Sequence, residues 1–190
     1  VGQIDIVQAN IRYRPSITPV LDGADAVVNL VGIMNSDGQN TFQAVQAAGA
    51  RNLAEMASKA GIEKLVHISA IGADINSDST YAKTKGEGEE AFRDYAPKTT
   101  ILRPSIIFGP QDDFFNRFAS MSKTSPALPL IGGGKTRFQP VYVDDVADSV
   151  VKSLANTDAF GGRIFELGGP EVMNFKELME LMLRIIGRKR

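Results

Sequence analysis

The sequence predicts an α/β fold, a doubly wound parallel sheet with a smaller C-terminal lobe. Three observations carry this. Runs such as DAVVNLVG (25–32) and KLVHISAIG (64–72) are apolar and β-branched without alternation, as strands buried on both faces are. Helix-length segments lie between such runs, the pattern of βαβ units. From about residue 111 the spacing loosens, which divides the chain into a first domain over 1–110 and a smaller lobe over 111–190, with 139–156 returning to the first.

The elements follow in order. QIDIVQA (3–9) is a short β-branched run and reads as a strand. SITPVLDG (16–23) reads as a short helix, with Ser16 as N-cap and Gly23 at its end. Strand 25–32 precedes a long helix over 41–61, whose apolar stripe is Phe42, Val45, Ala48, Leu53, Met56 and Ala57, with Gly61 just past its end. Strand 64–72 leads through a loop rich in Asp, Asn and Ser (74–80) into the helix of Tyr81 and Lys85. TTILRPSIIFGP (99–110) is a strand that must stop or bend at Pro104. DDFFNRFASMSKT is a helix, LPLIGGGKTRFQPVYV is loop and short strand, and DDVADSVVKSLAN is a helix. GRIFELGG is a strand, and Asn174-x-x-Glu177 opens the last helix with a capping box, Gly187 standing near its end.

Composition narrows the chemistry. A net charge of −1 implies no basic face and no nucleic-acid partner. The absence of cysteine excludes disulfides and thiolate catalysis, and the single histidine, His67, argues against a metal site. His67 lies in a β-rich run and reads as a packed histidine. The longest apolar run, AVVNLVGIM, is far too short to span a bilayer.

In an open parallel sheet, ligands bind beyond the carboxyl ends of the strands. Those ends carry Asn10, then Val31-Gly32-Ile33, then Ser69-Ala70, then Pro104-Ser105-Ile106. Tyr81 and Lys85 follow the third of these turns and share one helix face as i and i+4. With 4 tyrosines in the chain, Tyr-x-x-x-Lys arises by chance in about one chain in five, so its place beside the turns matters more than its spacing. Three phenylalanines, Phe114, Phe115 and Phe118, line either a core or a pocket.

Taken in order, these blocks resemble the extended, epimerase-like branch of the short-chain dehydrogenase/reductase superfamily. YAKTKGEGEEAF resembles its Tyr-x-x-x-Lys helix, ILRPSIIFGP its Leu-Arg-Pro…Gly-Pro segment and FQPVYVDDVADSVV its Val-Asp-Asp-Val-Ala segment. VVNLVGI, LVHISAIGAD and FELGGPEV extend the likeness to one subgroup, the bacterial relatives of the nucleotide-binding accessory subunit of mitochondrial respiratory complex I. The resemblance implies a Rossmann-like fold. It also implies an opening strand, glycine turn, helix and strand that this sequence does not contain, and hence a protein longer at both ends.

What the resemblance implies for the site is specific. NAD or NADP is the expected cofactor; the residue that separates the two belongs to the missing opening. Lys85 would hold the nicotinamide ribose, and its ammonium would lower the Tyr81 pKa so that Tyr81 could exchange a proton with substrate. Asn10, with Ile11 beside it, would meet the adenine; Val31, Gly32 and Ile33 would pass close to the adenosine; Pro104, Ser105 and Ile106 would lie by the nicotinamide amide. The family's catalytic hydroxyl falls where this chain has Ala70, and Ser69, one residue early, is the substitute. Ser79 and Thr80 read as solvated. Two functions follow: a cofactor-binding accessory or assembly factor of the respiratory chain, cytoplasmic and peripheral at the inner membrane, or an active NAD(P)-dependent oxidoreductase, epimerase or isomerase. A structural fragment that binds no nucleotide is the third reading.

Overall fold

The computed structural model describes residues 3–125 and 127–188. Along the chain run α1 (Arg14–Leu21), β1 (Ala26–Asn29), α2 (Gln43–Gly49 in π-helical form, then Ala50–Lys59), β2 (Lys64–Ile68) and α3 (Thr80–Tyr95). Then come β3 (Thr100–Pro104), β4 (Ile107–Phe108), α4 (Asp113–Thr124), β5 (Arg137–Phe138) and β6 (Val141–Tyr142). The last elements are α5 (Val143–Ala155), α6 (Thr157–Phe160), β7 (Ile164–Leu167), β8 (Met173–Asn174) and α7 (Phe175–Ile185). The α/β class with a parallel sheet is what folds. Contacts divide the chain into two compact units, one up to Arg103 with Ser149–Glu166, the other Pro104–Asp148 with Leu167 onward.

In the first unit the sheet order is β1-β2-β3-β7, with β1–β2 and β2–β3 parallel. The register sets Asn29 beside His67 and His67 beside Ile101. Helix α2 packs against both α1 and α3. Ile17, Leu21, Ala54, Ala57, Leu65 and Phe92 are buried in this unit's core. Small residues on α2 let α3 approach closely; Ala54, Ala57 and Phe92 are completely buried.

Three expectations change. Residues 3–9 form no strand and are exposed, Ile6 at 97%. A strand needs a partner for its N–H and C=O groups, and among the described residues none offers itself there. The N-cap position of α1 is Tyr13, not Ser16; Pro15 suits the first turn, and the Ser16 hydroxyl lies inside the helix within bonding range of the Tyr13 and Asn10 carbonyls. In α2 the stretch Gln43–Gly49 is π-helical, which widens its turn. Ala48, which a strict 3.6-residue period sets off the stripe, is exposed, while Gln46, which that period sets on it, and Ala47 are buried.

Helix α3 is capped by Ser79, whose hydroxyl accepts from Ala82 N. Its glycines are there for contact: a Cβ on Gly86 would lie 2.7 Å from Ile75 N, and one on Gly88 would lie 2.5 Å from Gln46 O. The strand at 99–110 breaks at Pro104 as the proline requires, and pairing resumes in β4.

The second unit pairs β4 with β6 in parallel and β5 with β8 antiparallel. Its core gathers Phe118, Phe175, Leu178, Met179, Met182 and Leu183 from α4 and α7, with Phe114 and Phe115 packed against them. The capping box on α7 forms in both directions, Glu177 N to Asn174 Oδ1 at 2.9 Å and Asn174 N to Glu177 Oε2 at 2.7 Å.

Candidate functional site

The carboxyl ends of β1 and β2 and the first turns of α3 bring several of the expected residues together in the first unit. Lys85 is buried, and its Nζ donates to the Ile68 carbonyl at 3.2 Å. A Cβ on Gly32 would lie 3.1 Å from that Nζ, so the turn after β1 runs directly against the ammonium. Burial lowers the Lys85 pKa, and the Glu89 carboxylate one turn away opposes the shift. Tyr81, on the same helix face, is half-buried and meets Phe42 edge-on at 5.9 Å. Its pKa is raised by burial, not lowered by Lys85 as expected. Withdrawing the phenol from water penalises the phenolate, and that effect prevails.

The turn after β1 is held from within. Asn29 is buried; its Oδ1 accepts from Val31 N at 3.1 Å, and its Nδ2 donates to His67 Nδ1 at 3.0 Å. His67 Nε2 and Ser69 Oγ are buried with no hydrogen-bond partner among the described residues. Ser69 is thus an enclosed hydroxyl, while its backbone N–H is bonded to Leu102 O at 2.7 Å. Ala70, partly exposed beside it, has no hydroxyl to offer.

The remaining expected residues serve other contacts. Asn10 is exposed and turns its Oδ1 back to Arg12 N at 3.0 Å, a local Asx turn. Ile11 packs against Gly49 of α2, and its carbonyl accepts from Asn52 Nδ2. Pro104, Ser105 and Ile106 belong to the second unit; Ser105 N bonds to Leu167 O at 2.8 Å, and its hydroxyl accepts from Gln139 N at 3.3 Å. Of the three phenylalanines, Phe118 is core, and Phe115 also lines an apolar cavity of about 420 Å³ within the second unit. Arg103 forms a forked ion pair with buried Glu89, at 2.8 Å and 2.7 Å. Ser79 and Thr80 are exposed, as read.

Sequence reasoning passed over Gln46. Its Nε2 donates to Ile33 O at 2.7 Å, and its Oε1 accepts from Thr84 Oγ at 2.8 Å. A 3.6-residue period places Gln46, four residues after Phe42 and seven before Leu53, on the apolar stripe, and its polarity is what hid it; the signal that could have found it is a polar Gln on that otherwise small and apolar face.

The family model for the NAD dependent epimerase/dehydratase family matches residues 2–168. The chain is 36% identical over 186 residues to the NADH dehydrogenase [ubiquinone] 1 alpha subcomplex subunit 9, mitochondrial, of Arabidopsis thaliana, covering 97% of this chain and 46% of that protein. The mouse protein of the same name is 34% identical over 170 residues, covering 89% of this chain and 45% of its own length. A ceramide reductase of Caulobacter vibrioides is 28% identical over 149 residues, covering 78% and 46%. The chain spans about half the length of the curated relatives it matches. Among solved structures, a dTDP-glucose 4,6-dehydratase from Streptomyces venezuelae with NAD bound superposes with a TM-score of 0.83 at 24% identity, over 95% of this chain and 63% of that one. A dTDP-4-dehydrorhamnose reductase from Bacillus anthracis in complex with NADP gives 0.77 at 16%, over 95% and 69%. Both share the fold. With a family model spanning most of its length and relatives above 30% identity, the chain belongs to the NAD dependent epimerase/dehydratase family.

Proposed function

We propose that this chain is the nucleotide-binding part of an NAD(P)H-binding accessory or assembly factor of the respiratory-chain NADH dehydrogenase type, with little or no turnover. The observation that carries the reading is the buried Lys85 ammonium against the Gly32 turn. Among the described residues, one of its three N–H groups meets Ile68 O and the other two meet no acceptor. A desolvated cation with donors to spare, beside a backbone that lacks a Cβ, suits ribose hydroxyls. Both NAD and NADP meet these requirements.

Lys85 would hold the ribose, and Gly32 would let the dinucleotide lie against the backbone. Tyr81 would stay protonated and hold its proton on Oη, because burial raises its pKa. When bound, the dinucleotide supplies hydride chemistry at its nicotinamide. For turnover the chain lacks an open hydroxyl at the end of β2, since Ser69 Oγ is enclosed and residue 70 is alanine. The relatives named as mitochondrial NADH dehydrogenase subunits favour respiratory-chain partners. Among the described residues no helix is long and apolar enough to cross a membrane.

The second reading is an active NAD(P)-dependent oxidoreductase, epimerase or isomerase using Tyr81 and Lys85. The relative named as a reductase favours it. The test is to purify the complete gene product and identify the nucleotide that comes with it, then to make Tyr81→Phe. The accessory reading expects nucleotide retained and function in cells unchanged. Loss of a measurable redox activity with nucleotide still bound would establish the enzyme instead.

A further inference from the structure

Gln46 joins both walls of the Lys85 cradle. It is 3% exposed and sits on the π-helical stretch, one turn after Phe42 on the buried face of α2. The Ile33 carbonyl can only accept, so the amide NH2 must face it, at 2.7 Å. That orientation leaves Oε1 to Thr84, whose hydroxyl must then donate, at 2.8 Å. The Thr84 hydroxyl has a single proton, and the carbonyls of Thr80 and Tyr81 at 2.8 Å and 3.2 Å compete for it. The bond to Gln46 therefore draws that proton across from α3 to α2. Gly88 lets α3 approach this stretch, because a side chain there would collide with the Gln46 backbone carbonyl. One side of this bridge is the residue after Gly32, and the other is the residue before Lys85.

We propose that Gln46 is a positioning residue for the dinucleotide, holding the Val31-Gly32-Ile33 turn against the Lys85 ammonium. The inference rests on the nucleotide-binding reading above. The neutral amide is essential to it, since the bridge needs a donor on one side and an acceptor on the other. A carboxylate in its place sets two acceptors against each other at Ile33, whereas a protonated carboxyl restores the donor and acceptor pair.

The test titrates the complete gene product with NADH and NADPH in wild type, Gln46→Leu, Gln46→Glu and Thr84→Val, with circular dichroism to establish folding. Gln46→Leu and Thr84→Val are expected to weaken the preferred nucleotide by about tenfold. Gln46→Glu is expected to bind weakly at about pH 8 and to recover toward wild type at about pH 5, as the buried carboxyl takes up its proton. The titratable groups on neighbouring elements are Lys85, Tyr81 and Glu87 on α3 and His67 on β2; wild type shares them all, so the difference in pH response belongs to the introduced carboxyl. A wild type that binds neither nucleotide overturns the reading of the site and this inference with it. A wild type that binds, with Gln46→Leu folded and binding equally, overturns the role of Gln46 alone. If Gln46→Leu does not fold, Gln46→Glu decides: a pH response identical to wild type overturns the proposal. If that variant also fails to fold, Thr84→Val decides, and unchanged affinity overturns it.

Discussion

His67 shows how far a single residue can be read. The sequence has one histidine, and its β-rich surroundings mark it as packed rather than catalytic. The structure buries it, stacks it on Phe92 at 4.5 Å and gives its Nδ1 to the Asn29 amide, which puts the ring proton on Nε2. Burial, helped by the Lys85 charge, pushes its pKa down to about 3. The unfolded chain takes up this proton at about pH 6.5 and the folded chain only near 3, so His67 costs stability as pH falls between those values. The slope is at most about 1.4 kcal/mol per pH unit. The His67 imidazole Cε1–H resonance is expected to stay flat from about pH 8 to pH 5; a midpoint near 6.5 would show an accessible ring. The Asn29 partnership was not legible because strand register decides it. The sign of the Tyr81 shift was not legible either, because desolvation depends on what packs over the ring.

At the scale of elements, α3 carries the site and is tied down along its length. Glu89 is 1% exposed and pairs with Arg103 of β3, with Arg93 further away at 3.5 Å. A buried pair of this kind adds little to stability while intact, but removing one partner strands the other charge. Arg103→Met is therefore expected to lower unfolding free energy by about 3 kcal/mol, and adding Glu89→Gln to restore part of it. Denaturant unfolding of both variants checks this; additive losses would mean that the pair is not coupled. Local sequence carries no sign of this pair, since the contact joins residues 14 apart on different elements. The capping box on α7 was legible in full because cap and partner lie three residues apart. Helix α2 was legible in extent and in most of its face; Ala48, which lies off a strict 3.6-residue stripe, is exposed, and Gln46, which lies on it, was hidden by its polarity.

At the scale of the whole molecule, each unit has its own core. Phe92, fully buried, centres the first, and Phe175 and Leu178 centre the second. Phe92→Ala should cost about 3–5 kcal/mol where its cavity opens. Native-state hydrogen exchange on the complete protein is expected to show protection falling in α2, α3 and β2 while α4 and α7 hold theirs. Loss of protection throughout would mean that both units open as one.

The sequence by itself determined the fold class, the order of most strands and helices after residue 13, the Tyr81/Lys85 helix and the turns at the strand ends. These rest on local pattern: runs of apolar residues, helical spacing, caps and prolines act over a few neighbours. The tertiary structure alone decided that residues 3–9 form no strand among the described residues, that Gln46 bridges Ile33 and Thr84, that Ser69 is enclosed and that burial governs Tyr81. Each of these depends on which groups from distant parts of the chain exclude water from a given atom, and periodicity along the chain carries no record of that.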